Sequence, residues 1–196
     1  MADIIRSPDT ERENRLPPGQ RLTTKFPVLH YGGVPPVDLG KWSLTISGLV
    51  RPERKLSYNE FISLPQVKVL SDVHCVTSWS RLNNLWEGVS SRTIRDVTEV
   101  LPRARFVMVH APGGYSANLP VDEFFAVDVL FAHRLDNETL KPEHGYPLRL
   151  VVPALYLWKS VKWVERVEFL ESDQAGFWES HGYHIHGDPW QEERFS

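Results

Sequence analysis

The chain has 196 residues, of which 41% are hydrophobic and 24% are charged, and its formal net charge at pH 7 is -3. This composition is ordinary for a globular protein, and the charge excludes the strongly basic classes that bind nucleic acid or anionic membranes electrostatically. Its single cysteine excludes an intramolecular disulfide and a metal site made of several cysteines.

The length indicates one domain, which we place at residues 22–196, preceded by a polar arm with several prolines at residues 1–21. We expect this arm to lie over the domain rather than within its core. No apolar run reaches the length of a membrane-spanning helix, and the first twenty residues lack the apolar centre of an export signal. The sequence therefore predicts no membrane span and a location in the cytoplasm.

Apolar periodicity and turn residues predict a sequence of short elements. In chain order they are a strand at 41–47, a helix at 57–64, strands at 68–73 and 105–110 separated by a helix at 93–101, a turn at 112–114, a helical turn at 120–125, and strands at 147–153 and 161–170. Residues 127–133 are ambiguous, and no clear period follows residue 176. Because strands outnumber helices without regular alternation, the sequence predicts an α+β class with a mixed, strand-rich fold.

Cys75 follows the strand at 68–73 and precedes an irregular polar segment, so we expect it at a strand end that faces a cleft. A free cysteine is often a small apolar residue of the core. A nucleophile would need a base, but neighbours on a strand point to opposite faces, which makes His74 an unsuitable partner. A third hypothesis is a single thiolate ligand to a metal that is held mainly by something other than protein.

Three histidines near the end of the chain, His181, His184 and His186, raise the possibility of a zinc site. Their spacing matches no firm zinc motif, and no cysteine or well-placed carboxylate joins them. The alternative is a structural or surface role, which the spacing favours.

An arginine, Arg149, stands inside an apolar strand pattern that follows His144 in a turn. Lys162 repeats this arrangement on what we predict to be the neighbouring strand, two residues after Ser160. Two such cations would form an anion-binding floor, suited for example to a phosphorylated cofactor. Internal salt bridges to carboxylates are the alternative, since buried arginine rarely lacks a partner.

Taken together, these segments resemble the molybdopterin-binding domain of the sulfite oxidase family. The resemblance covers about residues 22–190 and rests on ordered blocks with compatible spacing. They are 74–79 (HCVTSW) with 86–89 (WEGV), 113–120 (GGYSANLP), and 142–153 (PEHGYPLRLVVP) followed by 160–164 (SVKWV). The chain is most similar to short, single-domain prokaryotic members related to sulfite oxidases and methionine-sulfoxide-reductase catalytic subunits.

The resemblance implies a molybdenum–molybdopterin cofactor, with Cys75 as the sole protein ligand of the metal and as the catalytic residue. It implies that Arg149, Ser160 and Lys162 bind the pterin phosphate and nearby polar atoms, and that His144 contacts the cofactor. The cofactor-binding residues implied in all are Phe26, His30, Cys75, His110 (Ala111 after a one-residue shift), His144, Arg149, Ser160, Val161 and Lys162. Trp79 and Trp86 would shield the site from water.

The implied function is two-electron oxygen-atom transfer on a small substrate such as a sulfoxide, an N-oxide, sulfite or a similar oxyanion. Electrons would pass to a separate electron-transfer protein of the haem or flavin type. The segment 26–30 lacks the arginine with which sulfite oxidases bind their anionic substrate. This difference motivates the alternative hypothesis of a molybdopterin-binding module without turnover of its own.

Overall fold

Two β-sheets of seven and five strands and a small two-stranded sheet form the framework of residues 4–196, the part of the chain that the computed structural model describes. The strands are β1 (Ile4–Arg6), β2 (Arg21–Leu22), β3 (Ser43–Gly48), β4 (Val50–Arg51), β5 (Arg54–Ser57), β6 (Gln66–Cys75), β7 (Trp79–Ser90), β8 (Glu99–Val100), β9 (Phe106–His110), β10 (Ser116–Pro120), β11 (Leu130–Leu135), β12 (Glu138–Thr139), β13 (Arg149–Val151) and β14 (Arg166–Leu170). The α-helices are α1 (Tyr58–Ile62), α2 (Ile94–Val97) and α3 (Val121–Phe124). Short 3₁₀ helices lie at Pro8–Glu11, Ser91–Thr93, Pro112–Gly114, Pro142–His144, Leu157–Lys159 and Glu179–His181.

The larger sheet has seven strands, and the long antiparallel pair β6 and β7 forms its centre. The strand order is β1-β6-β7-β11-β12, with β13 added to β11 and β2 added to β7. The pairing of β6 and β7 continues to their joining turn, where Cys75 is opposite Trp79. The cysteine therefore lies at the end of a strand that is held by neighbours on both sides.

The smaller sheet has five strands in the order β10-β9-β14-β3-β5, and it packs against one face of the larger sheet. Val107 and Val109 of β9 share one buried cluster with Val89 of β7 and Phe131 of β11. Side chains two residues apart on a strand point to the same face, which explains why alternate residues of both sheets form this core.

The opposite face of the larger sheet carries a second buried cluster, which supports the functional cavity described below. Its members include Val73 of β6, Trp86 of β7 and Val151 of β13, and Phe26 packs on it from an irregular segment. Because of strand alternation, Cys75 shares the face of Val73, and Arg149 shares the face of Val151.

The strand-rich α+β class predicted from the sequence is confirmed. Helix α1 begins as expected at Ser57, whose side chain accepts a hydrogen bond from the Glu60 N–H while the Glu60 side chain accepts from the Ser57 N–H. The strands expected at 41–47 and 105–110 and the helical turn at 120–125 are present with shifts of at most two residues at their ends.

The long strand β7 and the five-residue strand β10 were not predicted, and one predicted helix is shorter than expected. Strand β7 has two adjacent asparagines and a glycine, which are poor strand formers, but it is paired with β6 and β11 on both sides. Strand β10 follows the Gly-Gly turn and pairs with β9. The helix expected at 93–101 ends at Val97, because Thr98 is extended and the next two residues pair with β4.

The strand expected at 161–170 was half wrong, and the difference affects Lys162. Only Arg166–Leu170 is strand. Trp163 has a positive φ of 54°, and its indole N–H donates to the carbonyl of Pro142. A left-handed φ is incompatible with a regular strand. Lys162 therefore lies in an irregular segment and not on a strand beside Arg149.

The segment predicted as an N-terminal arm extends the larger sheet at two places, through β1 beside β6 and β2 beside β7, both in parallel. Arg15 forms a bidentate ion pair with the fully buried carboxylate of Asp72. The domain boundary at residue 22 stays a prediction, and residues 1–3 of the predicted arm lie outside the described residues. Within residues 4–196, no helix is long and apolar enough to cross a membrane.

Gly88 in β7 leaves no room for a side chain against the neighbouring strand β11. A Cβ atom at this position would lie 2.0 Å from the carbonyl oxygen of Phe131 and 2.8 Å from the Cα of Ala132. We predict that Gly88→Ala lowers the free energy of unfolding by about 3 kcal/mol, since backbone atoms cannot move away cheaply. Urea denaturation of the cofactor-free protein measures this change.

Gly33→Ala is the matched control, because Gly33 has no atom within 4 Å of the added Cβ and no positive φ. It should change the free energy of unfolding by less than about 0.5 kcal/mol. Equal effects of the two substitutions would contradict the close-approach argument.

Candidate functional site

A cavity of about 450 Å³ opens beside the second buried cluster and contains most of the residues singled out from the sequence. Seven of the nine predicted cofactor-binding residues line it: Phe26, His30, Cys75, His144, Arg149, Ser160 and Lys162. They come from β6, β13, one 3₁₀ helix and two irregular segments. A cavity of this size accommodates a cofactor-sized ligand.

Cys75 presents the only sulfur nucleophile of the chain to this cavity. The thiol is 7% exposed and lies 3.1 Å from the hydroxyl oxygen of Thr77. Burial raises the pKa of the Cys75 thiol, while the bonds to Thr77 and the charges of Arg194 and Lys162 act in the opposite direction. His74 points away, with its Nδ1 2.8 Å from the hydroxyl of Ser80, as strand alternation predicts.

Arg149 and Lys162 form the positively charged part of the cavity, and both are held by backbone carbonyl oxygens. Arg149 donates to the carbonyls of His144 and Ser160, each at 3.1 Å. Lys162 donates to the carbonyl of Leu29 at 2.8 Å and to the carbonyl of Glu143 at 2.7 Å. Neither cation has a carboxylate partner among residues 4–196, so the internal salt bridges considered as an alternative are not formed by the described residues.

Burial without a negative partner disfavours the charged forms of these groups. It lowers the pKa of Arg149 to about 10, and burial together with the charge of Arg149 lowers the pKa of Lys162 to about 7. Burial and the positive charges of Arg149 and Lys162 together lower the pKa of His144 to about 4. The site is therefore short of negative charge, and an anion bound between the two cations would stabilise it.

Phe26 connects the cations to the sheet below them. Its ring stacks on His144 with ring centres 4.7 Å apart and meets Trp86 edge to face at 6.1 Å. The guanidinium of Arg149 lies 5.7 Å from the Phe26 ring centre and 5.4 Å from that of Trp86. The stack fixes the position of the arginine through contacts with two aromatic faces.

Aromatic side chains that the sequence analysis did not identify as site residues form much of the remaining wall. They are Tyr31, Tyr115, Trp158, Trp163, Trp178 and Tyr183. Trp178 and Tyr183 stack on each other at 4.9 Å, and the Tyr115 hydroxyl donates to the carbonyl of Trp158 at 2.6 Å. The high tryptophan count was the available signal, but it does not identify which aromatics converge.

Three predicted positions lie outside the cavity lining. His110 is on the face of β9 opposite to Val107 and Val109, where its Nε2 is 2.9 Å from a carboxylate oxygen of Glu168. Ala111 and Val161 have buried side chains within the core between the sheets. His110 and Val161 therefore do not line the cavity, and their roles as cofactor-binding residues stay predictions.

Trp86 also differs from its predicted role as a wall of the site. It is completely buried beneath Phe26, and its indole N–H donates to the hydroxyl of Ser71 at 3.1 Å. Trp79 does line the cavity, as predicted. The shielding side chains are therefore Trp79 and Phe26, while Trp86 supports them from below.

The histidines near the end of the chain have local partners. His186 contacts carboxylates on both ring nitrogens, Glu123 at 2.6 Å and Glu193 at 2.8 Å. The side chain of His181 lies 2.6 Å from a backbone carbonyl oxygen. No group of three or more histidine, cysteine, aspartate or glutamate side chains is arranged to hold a metal ion in the described part of the chain.

Comparison with known proteins identifies the family. A family model described as an oxidoreductase molybdopterin binding domain matches residues 31–178. The chain belongs to this family. Phe26, His30 and Tyr183 of the cavity lie outside the matched residues, although the cavity unites them with residues inside the match.

Two relatives and one solved structure illustrate the breadth of the family. The chain is 45% identical to an uncharacterized oxidoreductase, YuiH, of Bacillus subtilis, with 95% of both chains covered. It is 28% identical to the sulfite oxidase of Arabidopsis thaliana, covering 87% of this chain and 54% of that protein. The sulfane dehydrogenase SoxCD from Paracoccus pantotrophus has the same fold, with a TM-score of 0.67 and 21% identity over 85% of this chain and 46% of that chain.

The YuiH relative has nearly the same length, whereas this chain spans about half of the sulfite oxidase. The matches establish a molybdopterin-binding oxidoreductase with the sulfite-oxidase type of fold. The activity, substrates and partners of the longer relatives do not follow from these matches.

The cavity residues fit a molybdopterin. Arg149 Nε and His144 Nδ1 are buried polar atoms without a hydrogen-bond partner among residues 4–196, and both belong to cavity residues. Gly145 lies between the two cations, and a Cβ there would be 2.9 Å from the Arg149 Cβ and 3.1 Å from the Lys162 Cβ. The soft sulfur of Cys75 suits a metal that is bound by a dithiolene. The two cations, which have no carboxylate partner among the described residues, suit a phosphate group.

The low pKa of His144 gives a direct test of the charge balance. We predict that its imidazole in the cofactor-free protein stays neutral until the pH approaches about 4. An unfolded histidine protonates near the ordinary pKa of 6.5, so acidification between these pH values should cost stability, and His144→Gln should remove this cost. NMR titration of the histidine ring protons measures the pKa.

His186 is the internal control, because its two carboxylate partners raise its pKa to about 9. Its favourable contribution to stability is complete below pH 6.5 and is lost as the pH rises through about 9. Similar titration midpoints for the two histidines would contradict the charge distribution described here.

Proposed function

We propose that this protein binds a molybdenum–molybdopterin cofactor in the cavity, with Cys75 as the only protein ligand of the metal, and catalyses two-electron oxygen-atom transfer on a small substrate. The observation that carries the proposal is a pair of cations, the buried Arg149 and the half-buried Lys162, in one cavity with the chain's single thiol. If carboxylates of the chain neutralised these cations, no bound anion would be needed. The described residues form no ion pair with either cation.

Each cavity residue then has a physical role. Arg149 and Lys162 bind the phosphate of the cofactor, and this binding raises their lowered pKa values towards normal. Neutral His144 offers its unpartnered Nδ1 to a polar atom of the cofactor, and Phe26 holds its ring. Cys75 orients the metal, and Trp79 excludes water beside it. The bound group supplies the redox chemistry, while the chain supplies binding, orientation and electrostatics.

Oxygen-atom transfer at one site requires electrons from outside it. We include in the proposal a separate electron-transfer protein of the haem or flavin type that exchanges electrons at the cavity mouth. Leu29 and Tyr31 form an apolar rim there, 51% and 56% exposed. The cytoplasmic location stays a prediction, and fractionation of cells that produce the native protein tests it.

Metal and pterin analysis tests the proposal. Protein purified from a host that makes the cofactor should contain close to one molybdenum and one pterin per chain. Arg149→Met should reduce the pterin content at least tenfold, because a buried guanidinium is the strongest available partner for a phosphate. The Met variant should remain folded, since replacing a buried charge by an apolar side chain is often neutral for stability.

Arg166→Met is the matched control, because Arg166 lies on the smaller sheet beside His110 and Glu168 and should leave the pterin content unchanged. Cys75→Ser should abolish turnover with artificial redox dyes while much of the pterin is retained. Absence of molybdenum and pterin from the wild-type protein would refute the proposal. Full loading without turnover on any substrate would instead support the binding-module alternative.

The cavity lining also predicts a charge preference among substrates. Arg149 and Lys162 are the only lysine or arginine side chains among its described lining residues, and the cofactor phosphate occupies them. The rest of the wall is mainly aromatic, and an anion there would lose hydration and meet the negative faces of the rings. We therefore expect kcat/KM with reduced viologen dye to be at least tenfold higher for a neutral sulfoxide or amine N-oxide than for nitrate.

An aryl methyl sulfoxide and its para-carboxylate analogue form a matched pair for this assay, because they share the reacting group and differ in charge. The carboxylate should have the lower kcat/KM. A preference for nitrate or for the carboxylate would show that a cation remains available to the substrate.

A further inference from the structure

The turn that carries Cys75 is held in place by residues from both ends of the chain. It joins β6 to β7 through Val76, Thr77 and Ser78, and Ser78 has a positive φ of 68°. The Ser78 N–H donates to the Cys75 carbonyl at 3.0 Å. A turn with a non-glycine residue in the left-handed region needs further contacts to persist.

Arg194 supplies several of these contacts from the C-terminal segment, residues 183–195. Its guanidinium donates to the carbonyl of Val76 at 2.5 Å and to the hydroxyl of Ser78 at 3.0 Å. A further bond of 3.5 Å reaches the carbonyl of Pro18 in the N-terminal segment. The side chain is 16% exposed, and its one ion-pair contact is Glu192 at 4.0 Å. One guanidinium nitrogen, Nη1, therefore holds the turn at two points on either side of Thr77, while Nη2 reaches the N-terminal segment.

Gln20 holds the other side of the same turn. Its side-chain amide donates to the carbonyl of Cys75 at 3.1 Å and accepts from the hydroxyl of Ser80 at 3.3 Å. The backbone N–H of Arg21 donates to the carbonyl of Ser78 at 3.0 Å. Cys75, Val76 and Ser78 thus all have hydrogen-bond partners outside the β6–β7 hairpin.

We propose that Arg194 is a positioning residue of the metal site, which together with Gln20 fixes the Cys75 turn so that the thiol points into the cavity. The inference rests on the proposed role of Cys75 as the metal ligand. Both residues lie outside the part of the chain that matches the family model, residues 31–178. They do not line the cavity, and they act on the metal only through the turn.

The physical reason is that one ligand bond transmits the orientation of the turn to the metal. The hairpin fixes Cys75 and Trp79 by strand pairing, but it leaves the three residues between them to local contacts. A catalytic group that is displaced by a fraction of an ångström loses much of its effect. The guanidinium also places a positive charge near the thiolate that the metal requires.

Three variants separate this role from general stabilisation. Arg194→Gln removes the charge and the forked donors, and Arg194→Lys keeps the charge with a single donor group. Arg12→Gln is the control: Arg12 pairs with Asp9 at 2.7 Å and lies 4.1 Å from the ring centre of Trp190. It also joins the two ends of the chain, but it has no hydrogen bond to the Cys75 turn among the described residues.

The first measurement is hydrogen exchange of the turn amides in the cofactor-free protein, which needs neither metal nor activity. Arg194→Gln should accelerate exchange of the Ser78 amide at least tenfold, Arg194→Lys should give an intermediate rate, and Arg12→Gln should match the wild type. A wild-type rate in Arg194→Gln, or equal acceleration in Arg12→Gln, would overturn the proposal.

The second measurement is the electron paramagnetic resonance spectrum of the loaded protein, with pterin and molybdenum contents as controls for loading. Arg194→Gln should keep its pterin, because the phosphate-binding cations are elsewhere, but should show shifted g-values that Arg194→Lys partly restores. An unchanged spectrum in Arg194→Gln would overturn the positioning role. If the wild type contains no molybdenum, the proposed function fails, while the exchange rates still decide whether Arg194 fixes the turn.

Discussion

The constraint on which the site depends is a pair of cations, the buried Arg149 and the half-buried Lys162, that have no carboxylate partner in the described structure. Arg149 is 2% exposed and is satisfied only by carbonyl oxygens, which are weaker partners than carboxylates. Folding therefore opposes the charge of this residue, as its lowered pKa shows. A chain that keeps such an arrangement gives up stability in the cofactor-free state and regains it when an anion binds.

The larger sheet makes this arrangement possible because it buries both of its faces. One face contributes to the core between the sheets, and the other carries the aromatic residues under the cavity. Strand alternation then determines which side chains meet the cofactor: Arg149 and Cys75 face the cavity, whereas their neighbours Leu150 and His74 face away. The same rule places His110 on the outer face of the smaller sheet, outside the cavity lining.

The sequence was sufficient for the fold class, and four residues that it singled out, Cys75, His144, Arg149 and Lys162, line one cavity. Cys75, Arg149 and Lys162 stood out because a single thiol and cations in apolar surroundings are unusual in themselves, whereas His144 and the grouping of all four at one cofactor came from the resemblance to the family. Strand β7 was not found, because its asparagines and glycine oppose a strand locally and only its two neighbours favour one. The aromatic wall was also missed, since its members converge from separate segments whose spacing carries no signal.

The irregular backbone around Lys162 shows why local rules fail where the site is built. The alternation from Val161 onwards favours a strand, but the chain is irregular here and Lys162 donates to the carbonyls of Leu29 and Glu143. The positive φ of Trp163 costs conformational energy, which its hydrogen bond to a carbonyl and its burial offset. Departures from local preference of this kind are expected where function requires a particular geometry. The break in the predicted strand is thus part of the cation site, because it brings a second positive charge to the side of Arg149.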